Sequence, residues 1–237
     1  MMESLLKGVQ DLGFTLSPEQ LRLFQTYADE LVAWNQRLSL TAITSPEDIQ
    51  VKHFLDSLTC LQALPPGFVC HRVLDVGSGG GFPGLPLKIQ DPTLQVTLLE
   101  TTIKKAEFLR HIVGHLGLAG VEVVAERAET LGQNPAYRET YDLVVARAVA
   151  ELGVLAEYCL PFCRVGGLFV AQKKAGNAAE MKNARGAVIA LGGRMLPPIA
   201  VLLPGAEPRQ LVVMEKVAAT PQRYPRRPGM PAKRPLA

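Results

Sequence analysis

From residue 72 onward, short apolar runs alternate with longer segments whose apolar residues recur at helical spacing. Parallel strands need a long crossover between them, usually a helix, so this alternation predicts an α/β, Rossmann-like fold with a mostly parallel sheet. The predicted strands are 73–76, 96–99, 121–125, 143–146 and 168–171, and the predicted helices are 84–90, 104–116, 150–163 and 178–191. Segments 195–203 and 210–216 predict an antiparallel hairpin that completes a seven-stranded sheet.

The residues before this alternating region have a helical character. The run SPEQ at 17–20 offers an N-cap serine, a proline at the first helical position and a capping-box glutamine. A second start of the same kind, SPED at 45–48, leads into an apolar run that stops at two prolines. We therefore expect an N-terminal helical cap over 1–71, a sheet domain over 72–219 and a tail over 220–237.

The tail holds most of the excess positive charge. The formal charge of the chain is +3, yet residues 220–237 contain five basic and no acidic side chains, together with five prolines. Prolines disfavour helix, so we expect an extended, solvated strip that suits a polyanion such as RNA, or that serves only as an aid to solubility. The basic residues of this strip are Arg223, Arg226, Arg227, Lys233 and Arg234.

Cysteine usage and hydropathy restrict where the protein works. The four cysteines form no C-x-x-C pair, so buried free thiols are favoured over metal ligands, and no metal is expected. The N-terminus has early acidic residues and no apolar core typical of a signal peptide, and no run is long enough to span a membrane. We expect a cytoplasmic protein without a membrane partner.

The most specific segment is the glycine-rich turn after the first predicted strand. In open α/β sheets, ligands bind at the carboxyl ends of the strands, and glycines there let the backbone approach a cofactor. Gly79, Gly81 and Gly84 satisfy the G-x-G-x-x-G pattern of nicotinamide dinucleotide sites, and Glu100 follows at the expected distance. Taken alone, this match predicts a cofactor site without identifying the cofactor.

Charge distinguishes the candidate cofactors. A carboxylate on Asp75, at the end of the first strand, would repel the pyrophosphate of a dinucleotide but attract the ammonium and sulfonium groups of S-adenosylmethionine. The D-x-G-x-G-x-G pattern formed with Gly77, Gly79 and Gly81 fits S-adenosylmethionine, and Glu100 can accept both ribose hydroxyls. We therefore predict a class I S-adenosylmethionine-dependent methyltransferase fold.

The next strand ends supply further candidates. Backbone groups of Ala128 and Glu129 can bond the adenine, or Glu129 can act as a helix cap. Arg147 ends the fourth strand, where this architecture usually presents the methyl acceptor, and Lys173 and Lys174 end the fifth. An arginine is a poor base but a good clamp for a phosphate or a guanine carbonyl, although an ion pair at a strand end is the alternative.

Three polar residues on the second cap helix have two interpretations. Lys52, His53 and Asp56 can face the cofactor pocket as part of a lid. Alternatively, His53 and Asp56 bond each other across one helical turn or occupy packing positions.

Several segments together carry a family resemblance. They are KHFLDSL at 52–58, VLDVGSGGGFPGLPLKI at 73–89, the Lys104-Lys105 pair, VVARAVAEL at 144–152 and YPRRPGMPAKRPL at 224–236. In this order, over nearly the whole chain, they resemble the ribosomal RNA small subunit methyltransferase G family, also called the glucose-inhibited division protein B family.

The resemblance implies methyl transfer from S-adenosylmethionine to N7 of one guanine in 16S rRNA, guanine 527 in the usual rRNA numbering. It implies a 16S rRNA, small-subunit or assembly-intermediate partner. We expect the protein to be a monomer. The cofactor contacts that it implies are Gly77, Phe82, Glu100, Thr101, Thr102, Ala128, Glu129 and Arg147.

The implied chemistry agrees with the residues at the strand ends. Guanine N7 carries a lone pair and no proton, so its methylation needs no general base. We expect Arg147 to steer the guanine or its phosphate, Lys173 or Lys174 to assist, and the tail to hold the flanking RNA backbone. An RNA-binding assembly factor without catalysis and a nicotinamide-dependent dehydrogenase are the competing hypotheses.

Overall fold

The computed structural model describes residues 2–147 and 150–236 and contains one mixed sheet. The strand order is β3-β2-β1-β4-β5-β8-β6, with β7 also paired to β8. Strands β1 to β5 are parallel to one another, and β8 runs antiparallel to β5, β6 and β7. The strands are β1 (Arg72–Val76), β2 (Gln95–Leu99), β3 (Val121–Val124), β4 (Tyr141–Arg147), β5 (Cys163–Lys174), β6 (Gly193–Met195), β7 (Ile199–Val201) and β8 (Arg209–Lys216).

Helices cover both faces of this sheet, as a doubly wound fold requires. Four precede the sheet: α1 (Glu3–Asp11), α2 (Pro18–Asn35), α3 (Pro46–Ile49) and α4 (Asp56–Leu58). The others are α5 (Gly84–Gln90), α6 (Ile103–His115), α7 (Ala128–Leu131), α8 (Leu152–Cys159), α9 (Ala178–Ala190) and α10 (Met230–Lys233). The α/β prediction is therefore confirmed. The resemblance segment 144–152 includes residues 148 and 149, which lie outside the described residues.

The capping box predicted at the start of α2 is present. The Ser17 hydroxyl accepts a hydrogen bond from the Gln20 amide at 3.2 Å, and the Gln20 side chain accepts one from the Ser17 amide at 2.8 Å. The Gln20 side-chain amide also donates to the carbonyls of Ile89 and Gln90, at 2.8 Å each. The start of α2 thus also satisfies carbonyls at the end of α5, which have no amide partner within their own helix.

The second cap helix is continuous but not uniform. Between α3 and α4 the turn Gln50–Leu55 widens into a π-helix, and a 3-10 turn, Thr59–Ala63, follows α4. A π-turn changes the direction in which side chains and carbonyls point, and such turns are frequent at functional sites. This widened turn carries Lys52 and His53.

The predicted hairpin differs from the structure in its first strand. Segment 195–203 is divided into β6 and β7, which pair with opposite ends of β8. Pro197 and Pro198 lie between them, and a proline cannot donate a hydrogen bond to a neighbouring strand. The sheet consequently has eight strands rather than seven.

The predicted helix 150–163 is also too long at its end. Helix α8 ends at Cys159, a 3-10 turn covers Leu160–Phe162, and Cys163 begins β5. All four cysteines are free; Cys60, Cys159 and Cys163 are buried and Cys70 is half-buried, as the thiol prediction required. Burial raises the pKa of the Cys163 thiol to about 12.

Two apolar cores lie on the two faces of the sheet. On one face, cap residues such as Phe24, Leu31 and Phe54 pack with Leu98 and Val170 of the sheet. The helical cap therefore covers this face and shares its core with the sheet. On the other face, α8, α9 and the buried ring of Tyr224 pack against β4, β5 and β8.

The expectation of an extended, solvated tail is wrong. Tyr224 and Pro231 are buried, and residues 230–233 form α10. The Arg226 guanidinium contacts both carboxylate oxygens of Glu157, with distances from 2.6 to 3.1 Å, and the exposed fraction of the Glu157 side chain is 1%. Five prolines prevent a long helix, yet they do not prevent packing once a buried carboxylate supplies a partner.

A buried lysine anchors the start of the tail. The Lys216 ammonium, which is fully buried, donates to Glu139, to the Leu160 carbonyl and to the Thr220 hydroxyl at 2.6 to 2.8 Å. Glu139 also accepts the Thr220 amide. The Arg138 guanidinium donates to the carbonyls of Thr220 and Tyr224 at 2.7 Å. These charge-assisted bonds hold the tail against the sheet domain.

Of the residues described, none belongs to a helix with both the length and the apolarity needed to cross a bilayer.

Replacing Arg226 by Ala should lower the free energy of unfolding by about 3 kcal/mol, because the buried Glu157 carboxylate loses its partner. Arg227→Ala is the matched control, since the Arg227 side chain is exposed and has no hydrogen bond or ion pair to another described residue. It should change stability by about 0.5 kcal/mol at most. Urea denaturation followed by circular dichroism measures both values, and equal effects would refute the docked tail.

Candidate active site

The glycine-rich turn lies at the carboxyl edge of the sheet, between β1 and α5. Gly81 has φ +95°, and a side chain there would meet the Tyr27 hydroxyl and the Leu85 side chain within 3 Å. Tyr27, on α2, donates a hydrogen bond to the Gly80 carbonyl. The turn thus requires glycine for its backbone conformation and for the close approach of the cap.

The expectation that the Asp75 carboxylate points into the cofactor space is wrong. It is fully buried, and its Oδ2 accepts the Gly84 amide at 2.9 Å. Side chains alternate along a strand, so Asp75 shares the face of Val73, which α5 and the cap cover. Its Oδ1 is buried without a hydrogen-bond partner in the described residues, and burial raises the pKa of Asp75 to about 7.

Glu100, at the end of β2, holds the two sides of the turn together. Its Oε2 accepts the Gly79 amide at 2.9 Å, and its Oε1 accepts the Thr102 amide at 2.7 Å. The Thr101 hydroxyl lies at 3.5 Å from Oε1. A carboxylate has about four acceptor positions. Glu100 therefore keeps capacity for hydroxyl donors of a ligand, and Thr101 and Thr102 beside it are exposed.

Phe82 is a packing centre between the turn and the cap. Its ring stacks on His53, with centroids 4.4 Å apart, and on Tyr27, with centroids 5.4 Å apart. Its exposed fraction is 4%. A bound cofactor would consequently contact the main chain or only an edge of Phe82.

Arg147 joins the end of β4 to the cap. Its Nη1 lies 3.1 Å from the Lys52 carbonyl and 3.3 Å from Asp56 Oδ2, and its Nη2 lies 3.1 Å from His53 Nδ1. Its guanidinium carbon is 4.8 Å from the centroid of the Phe82 ring, within the range of a cation–π contact. These partners define the Arg147 cluster: Lys52, His53, Asp56, Phe82 and Arg147.

The protonation of His53 follows from this geometry. A guanidinium can only donate, so His53 Nδ1 must accept, and its Nε2 carries the proton. That proton is donated to the Thr41 hydroxyl at 2.7 Å. Burial and the positive charge of Arg147 lower the pKa of His53 to about 3, which keeps the imidazole neutral.

Asp56 is the negative centre of the cluster, with 1% of its side chain exposed. Arg209, at the start of β8, brings a second guanidinium to 3.6 Å from Asp56 Oδ1. Gln172, the register partner of Arg147 on β5, donates to the Asp56 carbonyl at 2.6 Å. Burial raises the pKa of Asp56, while the two arginines oppose this shift. His53 and Asp56 thus face Arg147, and the bond between them expected in one interpretation is replaced by this shared partner.

The two lysines at the end of β5 are not equivalent. Lys173 donates to the Ala150 carbonyl at 3.0 Å and pairs with Glu180 at 2.6 Å, and only 16% of its side chain is exposed. Lys174 is exposed and pairs with the exposed Glu207 at 2.8 Å. Lys173 therefore holds Ala150 and Glu180, and its role in catalysis stays a prediction. An exposed pair such as that of Lys174 stabilises little and leaves the lysine available.

Ala128 and Glu129 begin α7 after β3. The amides of a first helical turn have no acceptor within their own helix, so these positions suit an adenine edge. The Glu129 side chain is turned away to the tail, where it accepts the Gly229 amide at 2.8 Å. The side chain of Glu129 therefore serves structure, while its main chain remains available.

Several contributors to the site are not predicted from the sequence. Tyr27, Thr41 and Arg209 contact the turn or the Arg147 cluster, yet they lie 12 or more positions from the residues they contact. Tyr27 falls on the same helix face as Phe24, so helical periodicity alone marks it as a core residue. Nothing in the spacing marks Arg209, which antiparallel β8 brings back to the carboxyl edge.

The comparisons with known proteins agree with this geometry. A family model described as rRNA small subunit methyltransferase G matches residues 20–198. A protein named ribosomal RNA small subunit methyltransferase G from Dehalococcoides mccartyi (strain CBDB1) is 52% identical over 99% of the chain and 100% of its own length. A protein of the same name from Roseiflexus sp. (strain RS-1) is 52% identical over the same shares.

Solved structures share the fold at low identity. The structure of M. jannaschii TYW2 in complex with AdoMet superposes with a TM-score of 0.50 at 13% identity, covering 63% of the chain and 72% of the other protein. The structure of MtNAS in complex with MTA and tNA superposes with a TM-score of 0.54 at 17% identity, covering 92% and 76%. These likenesses support the architecture alone.

The buried Asp75 makes stability depend on pH. The pKa of its carboxyl is about 7 in the folded state, compared with an ordinary value of 3.8. As pH rises, the Asp75 carboxyl therefore loses its proton at a lower pH in the unfolded chain than in the folded protein. The free energy of unfolding should fall by up to about 4 kcal/mol between about pH 4 and about pH 8. Asp75→Asn keeps an oxygen for the Gly84 amide and removes this titration. Its stability relative to the wild type should rise over the same pH interval.

Urea denaturation at about pH 4.5, 6 and 8 measures this difference. Asp11→Asn, at an exposed position of α1, is the control and should follow the wild-type profile. Parallel profiles for the wild type and Asp75→Asn would show that the Asp75 carboxyl does not titrate in this range.

Proposed function

Because the chain belongs to the rRNA small subunit methyltransferase G family, we propose that it transfers a methyl group from S-adenosylmethionine to N7 of guanine 527, in the usual rRNA numbering, of 16S rRNA. It is an S-adenosylmethionine-dependent rRNA methyltransferase. The observation that carries the proposed reaction is the pairing of an acidic, glycine-rich turn at β1 and β2 with a guanidinium, rather than a base, at the end of β4. The hypotheses of a dehydrogenase and of a non-catalytic assembly factor have no comparable support.

The residues of the turn fit S-adenosylmethionine. Asp75 is buried on the face that α5 and the cap cover, so an ammonium bound at the turn would attract its carboxylate through the turn rather than by direct contact, and would lower its pKa. Glu100 has acceptor capacity left for ribose hydroxyls. Main-chain groups of Gly77 and Gly79 would line the same space, and those of Ala128 would bond the adenine.

When bound, S-adenosylmethionine supplies a methyl group activated by its sulfonium. The N7 lone pair of guanine forms a bond to the methyl carbon while the bond to sulfur breaks and its electrons remain on sulfur. No proton moves in this step, so no side chain has to act as a base. The absence of a base is consistent with His53, whose neutral imidazole has both nitrogens engaged.

Arg147 is suited to hold the acceptor base or its phosphate. Three of the five N–H donors of its guanidinium are bonded to Lys52, His53 and Asp56. The remaining donors, on Nε and Nη2, have no acceptor within the described residues, and 13% of the side chain is exposed. Since N7 must stay free to react, Arg147 would contact guanine O6 or a phosphate rather than N7.

Rigid placement of Arg147 contributes to rate through alignment. Reacting groups held near the attack geometry avoid the loss of orientational entropy during reaction. The Arg147 cluster fixes the guanidinium from several directions, and Lys173 holds the Ala150 carbonyl. We assign Lys173 a positioning role rather than direct contact with substrate.

The RNA partner would meet the exposed cations around this edge. Arg223, Arg227, Lys233 and Arg234 are exposed on the docked tail, whereas Arg226 is committed to Glu157. An N7 inside an RNA duplex lies in a deep, narrow groove, so the substrate guanine must be in a loop or an opened structure of the small subunit or its assembly intermediate. We also propose that the protein acts in the cytoplasm, as a monomer on its RNA.

Mapping 7-methylguanine tests the proposed reaction. Small subunits from cells lacking this enzyme, incubated with the protein and labelled S-adenosylmethionine, should gain one methyl group at a single guanine N7. Because no base takes part, the single-turnover rate at saturating cofactor should change less than about threefold between about pH 7 and 9. Methylation of an exocyclic amine, or a rate that rises tenfold per pH unit, would contradict the mechanism.

Arg147→Lys should reduce the rate of this step by about 100-fold or more, because a lysine cannot reproduce the fork that Asp56 and the base require. Urea denaturation shows whether the variant is folded. Lys7→Gln, which replaces an exposed cation of the cap, is the control variant and should retain a rate within threefold of the wild type.

Two tail cations provide a test of RNA contact that does not disturb folding. Replacing Arg227 and Lys233 by Gln should weaken binding to small subunits and reduce the slope of log affinity against log salt by up to about 1.5. The matched control replaces Lys7 and Arg22, two exposed cations of the cap, by Gln. An equal loss of slope in both variants would show that the tail has no special role.

A further inference from the structure

A group of metal-ligating side chains lies outside the methyltransferase site, between the cap and the sheet domain. Glu30 on α2 faces His111 and His115 on α6, and the three ligand atoms all lie within 4.8 Å of one another. His111 Nε2 is 2.7 Å from Glu30 Oε2, and His115 Nε2 is 3.8 Å from Glu30 Oε1. No other group of three such residues converges within residues 2–147 and 150–236.

These distances are close to what a tetrahedral ion requires. Zinc binds imidazole nitrogen and carboxylate oxygen at about 2.0 to 2.2 Å, which places neighbouring ligand atoms about 3.3 Å apart. The separations of 2.7 and 3.8 Å end on different oxygens of Glu30, and the three ligand atoms lie within 4.8 Å of one another, so the group is somewhat wider than a bound tetrahedral site. Small side-chain rotations would therefore bring all three atoms to one ion without movement of either helix.

The helices fix the directions of the ligands. His111 and His115 are separated by one helical turn, so both project from the same face of α6. Their rings are nearly parallel, with centroids 5.5 Å apart, and the ring of Trp34 packs on His111 at 4.9 Å. The side chains are 25% to 46% exposed, which leaves a coordination position open to water.

We propose that Glu30, His111 and His115 bind one divalent transition-metal ion of the zinc, cobalt or nickel type. Two imidazoles and one carboxylate favour these ions over magnesium and calcium, which prefer oxygen ligands. The expectation of no metal rests on the cysteines, and Glu30 lies 81 positions from His111 in the sequence. This site is independent of the proposed methyl transfer.

The ion would join two elements that both reach the active site. Helix α2 carries Tyr27, one turn before Glu30, which donates to the Gly80 carbonyl of the glycine-rich turn. Helix α6 begins at Ile103, directly after Thr102, whose amide is bonded to Glu100. A ligand that binds only the folded chain stabilises it, so the ion should raise the melting temperature of the whole protein.

The test uses the full chain after treatment with a chelator. Isothermal calorimetry with Zn²⁺ should give one site per chain, and the melting temperature should rise with zinc concentration. Co²⁺ should give a visible d–d spectrum of a four- or five-coordinate site, without the charge-transfer band that a cysteine thiolate would add. Both His111→Ala and His115→Ala should weaken zinc binding by more than about tenfold, and Glu30→Gln should weaken it as well.

His71→Ala is the matched control, because His71 is an exposed histidine away from this group. It should bind zinc as the wild type does. Melting temperatures without metal show whether each variant is folded, and His115→Ala, which removes only the longer contact, serves if His111→Ala is unstable. The proposal would be overturned by absence of zinc binding, by binding that survives both histidine substitutions, or by a thiolate band with Co²⁺. Glu30, His111 and His115 would then form only contacts between side chains.

Discussion

The fold around the site depends on one largely buried guanidinium. Arg147 ends a central strand and is always charged, so placing it inside the protein is costly unless acceptors surround it. The sheet domain supplies Phe82 beside it, while the cap supplies the Lys52 carbonyl, His53 and Asp56. The helical cap is therefore required by the charge at the strand end. This requirement also explains why the cap and the sheet share a single core on that face.

The same requirement accounts for the irregular cap helix. A regular helix engages each carbonyl with an amide four residues later, so an interior carbonyl has limited access to an outside donor. The π-turn at Gln50–Leu55 includes Lys52, whose carbonyl accepts from Arg147, and His53, which must accept through Nδ1. The widened turn thus lies where the helix has to present acceptors sideways. Sequence pattern predicts the helix but not this local change, because the cause lies 95 positions away at Arg147.

How much of this structure can be predicted from the sequence depends on how far apart along the chain the interacting residues lie. The Ser17 capping box depends on residues within a few positions, and its prediction is confirmed. The glycine-rich turn lies between the first strand and its helix, as predicted, while the cofactor contacts of its residues stay predictions. The division of segment 195–203 is predictable in principle, since Pro197 and Pro198 interrupt any strand. The prediction for the tail is wrong because its composition describes an isolated chain. Only the fold brings Glu157 and Lys216 beside it, and a buried carboxylate turns a basic, proline-rich strip into a docked one.

Buried polar atoms without hydrogen-bond partners in the described part of the chain are concentrated near Arg147. Among the described residues, four buried side-chain atoms have no hydrogen-bond partner: Asp56 Oδ1, Asp75 Oδ1, Gln90 Oε1 and Gln172 Oε1. Three of these residues surround Arg147, since Asp56 bonds it, Gln172 bonds Asp56, and the charge of Asp75 acts on Arg147 electrostatically. Buried polar atoms are normally satisfied, so such a concentration is not expected from packing alone. Asp75 Oδ1, which has no donor within the described residues, makes the region of the glycine-rich turn complementary to a cationic ligand, whereas Asp56 already faces the guanidinium groups of Arg147 and Arg209. The negative charges lie beneath the glycine turn and the exposed cations lie outside it, which separates the attraction for a positively charged cofactor from the attraction for a polyanion.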